Sequence, residues 1–108
     1  MLGPGKAELL DRIRTTGSIA AAGRQMEMSY KRAWMLVEEM NAAFDVPLVS
    51  CARGGQGGGG AQLTAVGSEV LRLYRDVLSR AEQAAAEPLA ALERMLRDPD
   101  KGERSGGK

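Results

Sequence analysis

The chain has 108 residues, 44% hydrophobic, 27% charged and only 4% aromatic, with a formal net charge of +1, the profile of one soluble globular domain able to bury a core of its own. It contains no histidine and one cysteine, which excludes histidine- or multi-thiolate zinc sites, histidine-based catalytic triads and an internal disulfide. No apolar run approaches the roughly 20 residues of a membrane span, and the start lacks a signal peptide's apolar stretch, so a cytoplasmic protein without a membrane partner is expected. At a charge so near zero, any case for a nucleic-acid partner rests on where the charges sit.

In chain order, Lys6 to Arg14 reads as a short helix with Leu9, Leu10 and Ile13 on one face. Gly3 and Pro4 mark its start, and Thr15-Thr16-Gly17 ends it. Ser18 is placed to N-cap a second helix, Ile19 to about Met26, rich in small residues. Glu27-Met28 leaves room only for a tight turn before Ser29, a second N-cap, and a third helix from Tyr30 to about Phe44. Leu48 to Ala52 and Ala61 to Leu63 are β-compatible and flank a glycine-rich tip, predicting a two-stranded ribbon. Thr64 caps the longest helix, Ala65 to about Arg97, where Pro88 predicts a kink or break. The polar residues 98–108 read as a disordered tail.

That order is the order of a winged helix-turn-helix: mainly α, with a two-stranded β-wing and a long C-terminal helix. The spacing agrees with it. Ala22 and Gly23 are small where two helices must cross, and Met26, Met28, Ala33 and Leu36 are apolar where they must interlock. Glu27 occupies the turn position where glycine is common. The plainer alternative is a generic helical hairpin. Expected boundaries are 1–64 for the winged domain, 65–97 for a dimerisation helix and 98–108 for the tail.

Charge placement points to DNA. Ser29, Tyr30, Lys31 and Arg32 lie in the first turn of the third helix, the end that enters a major groove in such folds. Arg32 has the fork to pair with guanine O6 and N7, and Lys31 suits a base or a phosphate. Arg24 and Arg53 are candidate backbone contacts, and Met35 faces the groove side. Trp34, one turn after Tyr30, is expected to pack against the domain, and Cys51 to be a small, semi-buried filler. Gly55-Gln56-Gly57-Gly58-Gly59-Gly60 formally satisfies G-x-G-x-x-G, but the next residues read as a strand and no βαβ unit follows, so no dinucleotide site is expected. A bare backbone at Gly54, Gly55, Gln56, Gly57 and Gly58 can instead lie against phosphate, or form a loop without contacts. No catalytic residue, cofactor or metal is expected.

The stripe Leu71, Tyr74, Leu78, Ala81, Ala85, Leu89, Leu92 and Leu96 predicts a dimer interface along the long helix. Two recognition helices related by a two-fold axis would read half-sites of a palindromic duplex about 34 Å, or a multiple of it, apart. The rival reading is an interaction module that docks through the long helix and no longer binds DNA.

Thr16-Gly17-Ser18-Ile19, Ala21-Ala22, Met28-Ser29-Tyr30-Lys31-Arg32-Ala33-Trp34, Met40-Asn41 and the run from Gly54 to Thr64 with Gly67 resemble the N-terminal DNA-binding domain of ModE-type molybdate-responsive regulators. More distantly, the chain is similar to the winged helix-turn-helix of LysR-type regulators, whose wing also closes into a Leu-Thr-x-x-Gly helix start. The resemblance covers roughly Gly5 to Arg80. It implies a dimeric transcription factor whose recognition helix is led by Ser29, Tyr30, Lys31 and Arg32, with a wing at Arg53 to Gly60 and a dimerising helix after Thr64. ModE-type regulators carry further oxyanion-binding domains; no counterpart follows the long helix here, so bound molybdate is not expected.

Overall fold

A computed structural model describes residues 2–52 and 60–96. Its elements are α1 (Pro4–Thr16), α2 (Ile19–Gln25), α3 (Tyr30–Ala43), β1 (Val49–Cys51), β2 (Ala61–Leu63) and α4 (Ala65–Met95). This is the winged helix-turn-helix order, with the polar tail and the wing tip outside the described residues.

Local chemistry sets the helix ends. Pro4 opens α1 at a position whose N–H has no helical partner to lose. Gly17 closes it in the left-handed region (φ 73°), donating its N–H to the Ile13 carbonyl at 2.8 Å. Ser18 and Ser29 cap α2 and α3 by accepting the amides of Ala21 and Arg32, each at 3.0 Å. Between α2 and α3 the chain reverses through Glu27, at φ 59°. A side chain there costs about 1 kcal/mol relative to glycine, and the turn is held by the Met28 amide donating to the Gly23 carbonyl at 2.9 Å.

Leu9, Leu10 and Ile13 of α1 are fully buried against Ile19, Ala22, Ala33, Val37, Met40 and Leu48. Each large aliphatic side chain so placed contributes roughly 1.5–3 kcal/mol. The predicted crossing of α2 and α3 is present: a Cβ built on Gly23 would lie 3.1 Å from the Ala33 Cβ. Met26, Met28 and Leu36 pack, partly buried, on the same core.

β1 and β2 pair antiparallel, with Val49 opposite Leu63 and Cys51 opposite Ala61. The ribbon is tied to the helices on several sides. Asn41 of α3 accepts the amides of Leu48 and Val49 through Oδ1 at 2.8 and 3.1 Å and donates Nδ2–H to the Val49 carbonyl at 3.2 Å. Ala61 donates its N–H to the Gly17 carbonyl at 2.9 Å, joining β2 to the α1–α2 turn. Thr64 donates its amide to the Leu48 carbonyl at 2.9 Å and its hydroxyl to Pro47, and accepts the Gly67 amide, capping α4 against β1.

Several expectations are corrected. α4 runs through Pro88 without a break. The alanines before and after the proline are strong helix formers, and Pro88 lies exposed, where water can satisfy the carbonyl it leaves unpaired. Leu71 is not available as a dimer contact: it is 3% exposed and belongs to the core, because the first turns of α4 lie on the winged domain. Tyr74 packs against that core as well. The chain divides into two compact units, one through Arg75 and a second from Asp76. Cys51 is exposed rather than semi-buried, since only Val49 of β1 turns into the core.

Gly67 sits against the Leu48 backbone so closely that a Cβ would fall 2.1 Å from the Leu48 oxygen. Gly67→Ala is therefore expected to cost about 3 kcal/mol and lower the thermal midpoint by roughly 10 °C or more. Gly5, with open space around it, provides the opposite case: Gly5→Ala in α1 should stabilise by about 0.5 to 1 kcal/mol. Circular dichroism melts of the two variants check both signs. Asp11 pairs with Arg14 at 2.7 Å and with Arg75 of α4 at 2.9 Å. The hydrogen bond from Arg14, followed by the interactions with Arg75, holds its carboxyl below the usual carboxylate range, against a partial burial that raises it. The lowered value makes this stabilisation complete above about pH 4 and removes it as pH falls through the folded-state value. Asp11→Asn should cost about 0.5 kcal/mol at pH 7 and flatten the acid limb of a pH–stability curve measured by urea unfolding.

Candidate nucleic-acid interface

α3 buries Ala33, Val37 and Met40, and this fixes which of its residues face outward. Tyr30, Lys31 and Arg32 are exposed at its start, and Met35 follows on the same side at 44% exposure. Ser29 is also exposed while its hydroxyl holds the first turn. Arg24, in the last turn of α2, is exposed too. The predicted residues of α2 and α3 thus all lie at the surface, close to the turn that joins these helices. Arg53, Gly54, Gly55, Gln56, Gly57 and Gly58 lie outside the described residues.

The partners of the cations separate this end of the molecule from the rest. Lys6 pairs with Glu39 at 3.0 Å, Arg12 with Glu8, and Arg14 and Arg75 with Asp11. Arg72 pairs with Glu69 and Arg80 with Asp76. The Arg72 guanidinium also lowers the Glu69 carboxyl below its usual range, chiefly by hydrogen bonding. Among the described residues, no ion pair or hydrogen bond engages the side-chain cation of Arg24, Lys31 or Arg32, and the same is true of Arg94 near the end of α4. Glu39, which would repel a polyanion, is drawn instead toward Lys6 of α1.

Trp34 is half-buried and packs on the core, as its position suggested. It also makes a contact that residue spacing alone did not specify: its indole Nε1–H donates to the Tyr30 hydroxyl. The two rings meet edge to face, with centroids 6.3 Å apart and planes at 85°. Ser18 and Ala20 of the α2 start, Cys51, Ala52 and Gly60 of the ribbon, and this aromatic pair line an open groove of about 210 Å³. The roles of Asn41 and Gly67 were also missed. Their signal was an amide in the last turn of a helix and a glycine in the first turn of another, both beside a predicted strand.

The family described as bacterial regulatory helix-turn-helix protein, lysR family, matches residues 5–68. The transcriptional dual regulator ModE of Escherichia coli K12, described as DNA-binding, is 40% identical over 87 residues, covering 81% of this chain and 33% of that protein. The molybdenum-pterin-binding protein MopB of Rhodobacter capsulatus is 39% identical over 95 residues, 88% of this chain and 34% of that protein. The chain therefore spans about a third of the length of the curated relatives it matches. Among solved structures, the DNA-binding domain of CbnR in complex with DNA superposes with a TM-score of 0.64 at 21% identity, covering 84% of this chain and 99% of that one. ArgP from Mycobacterium tuberculosis superposes at 0.58 and 18% identity, covering 81% and 31%. The structural likeness establishes the fold, the matched stretch runs from α1 into the first turn of α4, and the chain belongs to the lysR family of bacterial regulatory helix-turn-helix proteins.

Proposed function

We propose that this chain is the DNA-binding part of a transcriptional regulator, reading an operator duplex as a homodimer in the cytoplasm and catalysing nothing. The observation that carries the reading is the set of unpaired, exposed cations Arg24, Lys31 and Arg32 around the α2–α3 turn, in a protein whose other described basic side chains, Arg94 apart, are in ion pairs. Neutralising phosphates is the work such cations do best, because each contact releases condensed counterions. Arg32 reads a base edge in the major groove, Lys31 and Arg24 contact the backbone, and Met35 supplies an apolar surface deeper along the helix. The wing, Arg53 to Gly58, is assigned to the flanking backbone. ModE of Escherichia coli is described as DNA-binding, and the sequence likeness to it supports the same role here.

The dimer follows from apolar surface. Leu78, Leu89 and Leu92 of α4, and Leu96 just beyond its end, are about half exposed or more, Leu92 at 57% and Leu96 at 69%. Ala81 and Ala85 lie between them and are small enough for a second helix to approach. Val77 and Met95, also exposed, widen this face beyond the expected stripe. A second copy covers it more economically than water does. No described helix is long and apolar enough to cross a membrane.

Two measurements test these assignments. Arg32→Ala should weaken binding to a duplex selected from genomic fragments by roughly 1–3 kcal/mol and relax one base preference. Lys31→Ala should weaken all duplexes alike and reduce the salt slope by about one. Absence of salt-dependent binding by the unaltered protein would favour the interaction-module alternative. Leu89→Asp combined with Leu92→Asp should give a folded monomer by sedimentation, with affinity for a two-half-site duplex reduced by roughly 100-fold through lost avidity. A wild-type protein that sediments as a monomer at micromolar concentration would refute the homodimer.

A further inference from the structure

A tyrosine hydroxyl carries one proton and two lone pairs, whereas an indole N–H can only donate. In the contact between them on α3, Trp34 is therefore the donor and Tyr30 the acceptor. That leaves the Tyr30 proton unused, and no other hydrogen bond of this hydroxyl exists among the described residues. Accepting a hydrogen bond polarises the O–H and makes it a better donor. Trp34 is packed on the core, whereas Tyr30 is 56% exposed. The fixed ring therefore holds the free one. Tyr30 is also the first residue of α3, adjacent in sequence to Lys31 and Arg32, and with Trp34 it lines the groove whose other walls are small residues of α2 and the ribbon.

We propose that Trp34 is a positioning residue for DNA recognition: its indole N–H fixes the Tyr30 hydroxyl so that the phenolic proton is presented to a hydrogen-bond acceptor of the duplex. This rests on the DNA-binding reading above. The acceptor is a phosphate oxygen or a base-edge atom such as guanine N7 or thymine O4, the same chemistry in either place. An exposed tyrosine free to rotate would lose its rotamer freedom on binding; the bond from Trp34 removes that freedom in advance. The bond leaves the phenolic proton, which no described residue takes, pointing away from the indole and available to an acceptor of the duplex.

The chain has a single tryptophan, so one indole N–H resonance reports on this contact. In the full chain, Tyr30→Phe should move that proton upfield, and an unmoved resonance would overturn the proposal. Binding is then measured by anisotropy for a mixed-sequence duplex of about 30 base pairs and for the duplex selected from genomic fragments. Tyr30→Phe and Trp34→Phe should each weaken binding about fivefold, and the double variant should be no weaker than Tyr30→Phe alone. Equal losses on both duplexes identify a phosphate acceptor, and a loss confined to the selected duplex identifies a base edge; both support the proposal. If Trp34→Phe fails to fold, benzothienylalanine at that position keeps the bicyclic shape and removes only the N–H. Wild-type affinity in the Tyr30→Phe variant, with Lys31→Ala impaired, overturns the proposal and spares the DNA-binding reading. Additive losses in the double variant overturn the positioning role. A wild-type protein that binds neither duplex overturns both.

Discussion

The contact between Gly67 and the Leu48 carbonyl governs how the rest of the molecule is put together. Leu48 is fully buried, its amide is taken by Asn41 of α3, and its carbonyl is taken by the Thr64 amide at the cap of α4. One residue thus joins the recognition helix, the ribbon and the long helix. The junction closes only because the residue three places after the cap has no side chain: a Cβ at position 67 would overlap the Leu48 oxygen. With α4 seated this deeply, Leu71 reaches the core and Tyr74 packs beside it. The start of α4 is consequently seated by backbone contact rather than by adaptable side chains.

Charge is distributed with a corresponding economy. A chain with near-zero net charge binds a polyanion only if its cations are locally free, and pairing accomplishes this selectively. Lys6, Arg14 and Arg75 are engaged by carboxylates on or between α1, α3 and α4, while Arg24, Lys31 and Arg32 are left to solvent. Exposed pairs of this kind contribute little stability, about 0–1 kcal/mol each. Their larger consequence is that, among the described residues and Arg94 apart, the unpaired cations cluster at the α2–α3 turn. The aromatic pair extends the same surface with a neutral donor whose orientation is set internally, complementing the cations' long-range attraction with a directional contact.

The α4 segment beyond Asp76 follows a different logic. It has no fully buried residue among those described, and its apolar side chains lie open over a wide face. A helix of this length gains little from propensity alone; in proteins, packing supplies most of the stability. Continuous helix through Pro88 reflects the alanine-rich surroundings of that residue, and the exposed face is what a second copy would cover.

Much of this was legible in the residues. Caps at Ser18, Ser29 and Thr64, the apolar face of α1 and the small residues at the α2–α3 crossing are local signals, because capping and helical periodicity act within a turn or two. The same locality made Lys31 and Arg32 recognisable at the start of α3. Which cations remain free was not legible, since Arg75 and Asp11, or Lys6 and Glu39, meet only after the helices pack. Nor was the division of the α4 stripe: Leu71 and Leu78 carry the same hydropathy and the same spacing, and only the docking of Gly67 on Leu48 puts the former inside and leaves the latter out. The sequence by itself determined the elements, their order and the end of α3 that bears the exposed cations Lys31 and Arg32, because these depend on neighbours along the chain. The tertiary structure decided burial, pairing and the orientation of Tyr30 by Trp34, because those depend on distances between side chains that a one-dimensional pattern does not contain.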